Sequence, residues 1–319
     1  MDQALHQWVP FWPDTASNTG DVVNAIFIGL AAVAAFICLF NYGLVALFAV
    51  RYRQGSTADR SHRVQETWHW EIGWTAATLF AFLLLFVWGA GAYVWLYQPP
   101  PIANEIFVVG KQWMWKIQHP DGVREINELH VPLGELVRLV MTSQDVIHSF
   151  FIPAFRIKHD VLPDVYETLW FKPTKVGEYR IFCAEFCGTE HALMRGKVVV
   201  MDTKAYQQWL TAQPPTTSLA QQGEALFRQL GCSGCHGANS AVHAPPLEGV
   251  YGRLVHLSDG STVRADDRYI HDSILLPESQ VVAGYQPIMP SFAGQIGEDD
   301  VFKLIAYIKS LGESPRPVR

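Results

Sequence analysis

A group of metal-ligating residues with soft donor atoms lies in the middle of the 319-residue chain. It reads Cys183-x3-Cys187-x3-His191-x2-Met194, and His148 precedes Cys183 by 35 residues. Thiolates, imidazoles and a thioether together are the donor mixture that selects copper. One tetrahedral zinc ion needs only four ligands, and thioether sulfur suits zinc poorly, so zinc is the weaker alternative. The two nearby thiolates suit two copper ions that share both sulfurs.

A second group follows in the C-terminal third of the chain, as Cys232-Ser-Gly-Cys235-His236. This is the C-x-x-C-H signature at which c-type haem is attached covalently. The two cysteines would bond to the haem, and His236 would bind its iron. Paired cysteines of an exported domain can instead form a disulfide, but each pair here is accompanied by its own histidine. A copper group followed by a haem group, with no obvious substrate pocket between them, favours one-electron transfer.

The composition indicates that part of the chain lies in lipid. Charged residues make up 17% of the sequence and hydrophobic residues 49%, whereas soluble domains have about 25% charged residues. The net charge is −6, and no basic block could follow a phosphate backbone, so a nucleic-acid partner is disfavoured.

Two uncharged apolar segments predict a transmembrane helical hairpin over residues 22–103, after an N-terminal tail of residues 1–21. The predicted spans are residues 22–50 and about 72–97, and each is long enough to cross a hydrocarbon core of about 30 Å. The N-terminal tail has no Lys or Arg, whereas the loop between the two spans is basic. The arginines of this loop are Arg51, Arg53, Arg60 and Arg63. The positive-inside rule therefore places both termini and both metal-binding groups on the periplasmic face of a bacterial inner membrane.

Residues 104–202 have the pattern of an all-β sandwich. Glu178–Ile181 alternates polar and apolar residues, and turn signals separate it from four further candidate strands. These are Ile106–Val109, Leu136–Met141, Val165–Phe171 and Lys197–Met201. Cys183 would end a strand, with the rest of the copper group in the next loop. His148 would come from a neighbouring strand end, since loops held by a rigid sandwich often carry functional residues.

The C-terminal segment predicts a small all-α domain at residues 218–312, after a linker at 203–217 and before a tail at 313–319. Within the linker region, Gln213–Ser218 has the composition of an extended chain. Ser218 is placed to cap a helix over Leu219–Leu230. A second helix is predicted by five apolar residues with helical spacing, whose shared face would pack on the first helix. They are Val301, Leu304, Ile305, Ile308 and Leu311.

Residues 1–202 resemble subunit II of the haem-copper cytochrome c oxidases in the helical hairpin, the cupredoxin-like sandwich and the copper group. The resemblance implies a binuclear copper centre, CuA. The residues that match its ligands are His148, Cys183, Cys187, His191, Met194 and the backbone carbonyl of Glu185. The carboxylate of Glu185 also matches a ligand of a magnesium ion at the contact with subunit I. A solvated loop acid is the alternative for this side chain.

Two further residues match functional positions of that family. Trp113, in Gly-Lys-Gln-Trp-Met-Trp, matches the tryptophan through which electrons enter at the copper, although Met114 stands where relatives often have tyrosine. Glu71, in Trp-Glu-Ile-Gly-Trp, matches an acid at the mouth of a proton channel into subunit I. A core aromatic is the alternative for Trp113, and an acid favoured by the helix dipole alone is the alternative for Glu71.

Three more positions bear on the resemblance. Asp145 and Asp160 match acidic positions near the copper in relatives. The Pro-Gly-Arg of the family reads Pro163-Asp164-Val165 here, so its arginine is missing. Any role of that arginine toward haem propionates in subunit I is therefore in question.

Residues 218–312 resemble a class I cytochrome c, with covalent haem c at Cys232, Cys235 and His236. Met289 lies in a Gln-Pro-Ile-Met-Pro loop that is similar to the axial-methionine loop of that family. Three histidines are rival sixth ligands and are otherwise expected on the surface. They are His243, His256 and His271.

The two resemblances together imply subunit II of a terminal cytochrome c oxidase with a fused cytochrome c domain. Such a chain relays electrons from haem c to CuA and on to haem in subunit I, where O2 is reduced to water with proton translocation. The implied partners are subunits I and III, membrane lipid, and a cytochrome c or an upstream respiratory complex as electron donor. The alternative is the CuA-containing subunit of a membrane nitric oxide reductase. A quinol oxidase subunit lacks the copper cysteines, and a free-standing nitrous oxide reductase lacks the spans.

Overall fold

The computed structural model describes residues 12–61, 67–98, 100, 104–213, 217–237, 240 and 242–312. Arg63, the prolines of the predicted linker and the tail at 313–319 lie outside these residues, as does most of the N-terminal tail. The chain divides into one compact unit of residues 18–99 and another of residues 1–17 and 100–319.

The smaller unit consists of two long apolar helices, α1 (Asn18–Arg51) and α2 (Trp68–Leu96), and both are long and apolar enough to cross a membrane. Each begins earlier than the predicted span, because polar residues such as Asp21 in a first turn are favoured by the helix dipole. Most of their apolar side chains are exposed. A Cβ on Gly29 would lie 2.8 Å from the ring of Trp88, so this glycine lets the two helices approach closely.

Residues 104–201 form a sandwich of two five-stranded sheets, as the alternating pattern predicts. The strands of sheet one are β1 (Asn104–Lys111), β2 (Met114–Gln118), β3 (Arg124–Ile126), β5 (Val137–Ser143) and β8 (Glu167–Phe171). Those of sheet two are β4 (Glu128–Pro132), β6 (His148–Ile152), β7 (Ile157–Val161), β9 (Gly177–Cys183) and β10 (Arg195–Met201). Sheet one has the order β3-β2-β1-β5-β8 and sheet two the order β4-β10-β9-β6-β7.

Strand β1 is buried on both faces. It pairs in parallel with β5, from Asn104 opposite Val137 to Gly110 opposite Ser143. Ile106 and Val108 point into the sandwich core, whereas Phe107 belongs to a second core cluster outside the sandwich. A strand that packs on both faces reads as a continuous apolar run rather than an alternating one.

A helix, α3 (Thr203–Ala212), occupies the first part of the predicted linker, which the sequence pattern had not identified as helical. Asp202 caps it by accepting a hydrogen bond from the backbone N–H of Ala205 at 3.0 Å. Tyr206 is buried, and Trp209, one turn further, stacks on His130 of β4 with 4.4 Å between ring centroids. Residues three positions apart share a helical face, and here that face packs on the sandwich.

The C-terminal domain is mainly helical, as predicted. Its helices are α4 (Leu219–Gln229), the one-turn α5 (Ser233–His236), α6 (Asp267–Leu275) and α7 (Glu298–Ser310). It also contains a short hairpin, β11 (Leu254–His256) and β12 (Thr262–Arg264), which the all-α prediction did not include.

Helices α4 and α7 pack on one another as predicted. Ser218 begins α4 with a capping box, in which its side chain and that of Gln221 each accept the other's backbone N–H. A Cβ on Gly223 would lie 1.9 Å from the backbone oxygen of Lys303, so only glycine permits this crossing.

Candidate metal centres

The copper group converges at one end of sheet two. Cys183 is the last residue of β9, and its Sγ lies 3.7 Å from Sγ of Cys187 in the following loop. Each sulfur faces one imidazole. Nδ1 of His148, the first residue of β6, lies 3.9 Å from Cys183 Sγ, and Nδ1 of His191 lies 3.4 Å from Cys187 Sγ. The strand end and the loop therefore bring together residues from two parts of the sequence.

Two further predicted ligands lie beside the sulfur pair. The thioether of Met194 is 3.8 Å from Cys187 Sγ, and the backbone oxygen of Glu185 is 3.2 Å from Cys183 Sγ. A 3-10 turn over His191–Leu193 brings Met194 back to the site. Both thiols, the thioether and His148 are at least nine-tenths buried, whereas the side chain of Glu185 is exposed. This dry set of soft donors fits copper.

Asp145 orients His148. Its carboxylate oxygen Oδ1 lies 2.8 Å from Nε2 of His148, so that the ring donates from Nε2 and leaves Nδ1 toward the sulfurs. Burial opposes the charged ring, but hydrogen bonds with Cys183 and Asp145 raise the pKa of His148. The other oxygen of Asp145 accepts a hydrogen bond from the backbone N–H of Gln112 at 2.8 Å.

The two thiols titrate as a pair. Burial opposes ionisation of Cys183, yet hydrogen bonds from His148 and from backbone groups lower its pKa. Burial and the neighbouring Cys183 sulfur raise the pKa of Cys187. One thiolate therefore forms readily, and a second charge so close to it requires a cation.

Trp113 contacts the loop that carries Cys187. Its Nε1 donates to the backbone oxygen of Cys187 at 3.3 Å, and Gln112 Nε2 donates to the same oxygen at 2.8 Å. Gly188 has φ +118°, and a Cβ there would lie 2.9 Å from Gln112 Nε2. Glycine at this position lets the two side chains clamp the loop.

A cavity of about 620 Å³ in the C-terminal domain is lined by the residues of the C-x-x-C-H motif. Cys232, Cys235, His236 and Met289 all line it, and most of the remaining lining is apolar. Nδ1 of His236 donates to the backbone oxygen of Pro245 at 3.0 Å, which leaves Nε2 available for a metal. An apolar cavity with two thiols, an imidazole and a thioether fits a covalently held haem.

The three rival histidines separate into two kinds. His243 and His256 line the cavity, where His243 stacks on Tyr285 with 4.6 Å between centroids. His271 does not line the cavity. It is 1% exposed, with Nδ1 2.9 Å from Asp272 and Nε2 3.4 Å from Glu298, so the expectation of a surface position was wrong for it.

The remaining predicted residues make contacts of their own. Glu71 is exposed in the first turn of α2, where Thr67 Oγ1 donates to its Oε1 at 2.5 Å. Asp160 accepts a hydrogen bond from Ser149 at 2.8 Å and pairs with Lys158. Asp164 has φ +57°, a backbone conformation that the glycine of the family adopts readily and that aspartate tolerates.

A third polar cluster, not predicted from the sequence, is centred on Glu125. Glu125 of β3 lies 2.7 Å from His119 Nε2 and 2.5 Å from His130 Nδ1, next to Trp209 of α3. Burial opposes ionisation, but hydrogen bonds with both histidines lower the pKa of Glu125 to about 2. The sequence pattern did not predict that Glu125 contacts His119 and His130, because these residues meet only in the folded sandwich.

Two family models match the two metal-binding domains. One, described as the periplasmic domain of cytochrome c oxidase subunit II, matches residues 123–202. The other, described as cytochrome c, matches residues 220–312. The chain belongs to the cytochrome c oxidase subunit II family. Its fused C-terminal domain is a cytochrome c domain, so both resemblances predicted from the motifs are confirmed.

Subunit II relatives cover most of the chain. A cytochrome c oxidase subunit 2 of Alkalihalophilus pseudofirmus is 26% identical over 304 residues, which is 91% of this chain and 85% of the relative. An alternative cytochrome c oxidase subunit 2 of Bradyrhizobium diazoefficiens is 27% identical over 253 residues, which is 68% of this chain and 89% of the relative. The solved periplasmic domain of subunit II from Bradyrhizobium japonicum is 30% identical, covers 36% of this chain and 95% of its own, and has a TM-score of 0.35.

Membership of the subunit II family gives the two centres their chemical class. The family implies copper for the soft-donor group, and the cytochrome c domain implies haem c for the cavity. The two apolar helices and the relatives make the chain a membrane protein and a part of a haem-copper oxidase complex, an oxidoreductase with further subunits.

Proposed function

We propose that this chain is the electron-transfer subunit of a terminal cytochrome c oxidase. It relays electrons from its cytochrome c domain to its sandwich domain and on to haem in subunit I, where O2 is reduced to water with proton translocation. The observation that carries the proposal is the pair of Cys183 and Cys187 sulfurs, 3.7 Å apart with one imidazole each, in a chain that also contains a haem cavity.

The donor set favours a binuclear copper centre, CuA, over a single ion. A thiolate sulfur can bind two metal ions at once. His148 faces the sulfur of Cys183 and His191 faces that of Cys187, so each of two ions would have its own imidazole. Likewise, the thioether of Met194 lies beside the sulfur of Cys187, and the backbone oxygen of Glu185 lies beside that of Cys183. Copper and haem c, when bound, supply reversible one-electron chemistry with little change of ligands.

The residues of the chain hold these donors and keep water away. Asp145 accepts a hydrogen bond from Nε2 of His148, and the backbone oxygen of Pro245 accepts one from Nδ1 of His236. Such contacts fix the ring and its tautomer. We propose Met289 as the sixth haem ligand, because it lines the cavity in a loop and its thioether is a usual partner of histidine in cytochromes c.

Further roles follow from the family and stay proposals. Trp113 would pass electrons to the copper centre, supported by its hydrogen bond to the Cys187 carbonyl. The exposed carboxylate of Glu185 would bind magnesium at the contact with subunit I, and subunit III would complete the assembly. The arginines of the loop between the helices support a cytoplasmic loop, with both metal domains in the periplasm.

The variant Cys187→Ser tests the copper assignment. We expect it to lose the near-infrared absorption of the copper centre and bound copper, while covalent haem c is retained. Cys38→Ser is the matched control, because this exposed cysteine lies on α1 and contributes to neither centre. A full copper content in Cys187→Ser would refute the assignment.

The oxidase and nitric oxide reductase functions are separated by substrate. The purified complex that contains this chain should consume O2 with reduced cytochrome c as donor. Reduction of NO without O2 uptake would identify the alternative and would leave the two metal assignments standing.

A further inference from the structure

The cytochrome c domain is packed against the sandwich over a continuous surface. Phe107 of β1 lies 4.5 Å from Phe302 of α7, measured between ring centroids, and Tyr166 lies 5.1 Å from the same ring. All three side chains are at least nine-tenths buried. Phe107, Val109 and Val140 therefore belong to the core of the cytochrome c domain, although they are part of sheet one.

Four charged side chains lie in this interface, and we call them the interdomain charge cluster: Glu105, Arg138, Asp267 and Lys309. Glu105 and Arg138 are on β1 and β5 of the sandwich, whereas Asp267 and Lys309 are on α6 and α7. Arg138 lies 2.5 Å from Glu105 and 2.8 Å from Asp267. Lys309 lies 2.5 Å from both Glu105 and Asp267. Each cation thus pairs with one acid of each domain.

The cluster is closed and mostly dry. The side chain of Asp267 is 8% exposed, that of Lys309 17%, and those of Arg138 and Glu105 little more. Lys309 Nζ also lies 4.6 Å from the ring centroid of Tyr251. Burial opposes the charge of Lys309, but Asp267 and Glu105 raise its pKa, so it stays protonated. Two positive and two negative groups leave no net charge.

We propose that the interdomain charge cluster positions the cytochrome c domain in one orientation on the sandwich, so that electrons pass between the domains of a docked pair. A flexible tether would instead make transfer depend on repeated encounters of a mobile domain. A rotated docking that buried the same surfaces would leave partly buried charges unpaired, which is far more costly than leaving a surface pair unmade.

Contacts at the other end of α7 complete the orientation. Lys116 of β2 lies 3.3 Å from Asp299 and 3.0 Å from Gln144, and Tyr166 donates to Glu298 at 3.1 Å. Glu298 and Asp299 begin α7, whereas Lys309 is near its end. The helix is therefore fixed at both ends against sheet one, which sets its direction as well as its place.

The start of α7 lies toward the copper end of the sandwich. Gln144, which contacts Lys116, directly precedes Asp145, the residue that holds His148. The backbone N–H of Gln144 also donates to the carbonyl of Gly110 at 2.9 Å, and a Cβ on Gly110 would lie 2.9 Å from the ring of His148. The docked helix therefore begins near the end of sheet one that lies beside His148.

The test uses the full-length chain in detergent or nanodiscs with both centres loaded. In Asp267→Asn and Lys309→Met, we expect the electron–electron dipolar spectrum between oxidised copper and low-spin haem c to change from a narrow to a broad distance distribution. Hydrogen exchange, which needs no metal, should show lost protection in residues 104–109 and 298–309. Copper and haem contents should stay at wild-type values.

Two comparison variants separate positioning from general damage. Lys309→Arg keeps the charge and should restore the narrow distribution. Arg228→Gln removes an exposed ion pair with Glu224 inside the cytochrome c domain and should change neither measurement. A distribution that stays narrow in both Asp267→Asn and Lys309→Met, with unchanged exchange, would overturn the proposal. A broad distribution already in the wild-type chain would overturn it as well. Because both outcomes are read at full copper and haem content, they are independent of whether the acceptor reaction is that of an oxidase.

Discussion

His148 Nε2 and Asp145 Oδ1 lie 2.8 Å apart, and this contact turns the opposite ring nitrogen toward the sulfur of Cys183. The same carboxylate accepts hydrogen bonds from the backbone N–H groups of Gln112 and Val146. Asp145 thus joins three parts of the site: the turn between β1 and β2, the loop before β6, and His148, the proposed copper ligand. The carboxylate would hold that ligand in place without binding copper itself.

The first prediction concerns Asp145→Asn. We expect copper to be released to a chelator more readily, with an affinity loss of about 10–100-fold, because the histidine loses the acceptor that holds its ring and tautomer. Copper retention is measured against covalent haem c as an internal standard. Asp160→Asn is the matched control, since this acid contacts Ser149 and Lys158 but no ligand. Equal retention in the two variants would contradict the role of Asp145.

The second prediction concerns the sixth haem ligand. Met289→Ala should lose the sulfur-to-iron charge-transfer absorption of the oxidised cytochrome c domain, since no other thioether lines the described part of the cavity. His243→Ala and His256→Ala should keep that absorption, although both side chains also line the cavity. If the absorption survives in Met289→Ala, the ligand lies elsewhere.

The third prediction concerns Glu71. The variant Glu71→Gln should slow oxidase turnover without slowing reduction of the copper centre, as proton uptake through subunit I would require. Thr67→Ala removes the hydrogen bond to Glu71 but keeps its carboxylate, and it should leave turnover near the wild-type rate. A role limited to the helix dipole predicts instead normal turnover in Glu71→Gln and a loss of only about 0.3–1 kcal/mol of helix stability.

The fourth prediction is a pH dependence of stability that is centred on Glu125. Hydrogen bonds with His119 and His130 overcome the effect of burial and lower its pKa to about 2, from an ordinary 4.5. Because the pKa of Glu125 is lower in the folded state, its ionised carboxylate stabilises that state above pH 4.5. This contribution disappears as the pH falls from about 4.5 to about 2. The shift corresponds to a free energy on the order of 3 kcal/mol.

Denaturation midpoints measured from pH 7 to pH 2 check this prediction. The variant Glu125→Gln should be less stable than the wild type at neutral pH, and the difference should shrink in acid. Glu178→Gln is the control, because this acid of β9 is exposed and pairs with Lys197 at the surface. A stability difference for Glu125→Gln that stays constant with pH would show that its carboxylate is not the titrating group.

The sequence by itself determined the chemistry of the protein. Soft donors and the C-x-x-C-H signature keep their meaning in any fold, because ligand type follows from the side-chain atoms. Long uncharged runs likewise identify the two apolar helices, and the box formed by Ser218 and Gln221 is local enough to be read from four residues. Strand and helix periodicity placed Cys183 at the end of β9 and His148 at the start of β6 as expected.

Only the tertiary structure decided which residues meet across the chain. Helix α3 replaced part of a predicted linker because Tyr206 and Trp209 found a surface on the sandwich, and His271 became buried because Glu298 and Tyr166 pack around it. The pairing of Glu105 and Arg138 with Asp267 and Lys309 also joins residues more than 100 positions apart. Sequence periodicity reports which face of an element is apolar, whereas the partner of that face depends on how whole elements pack.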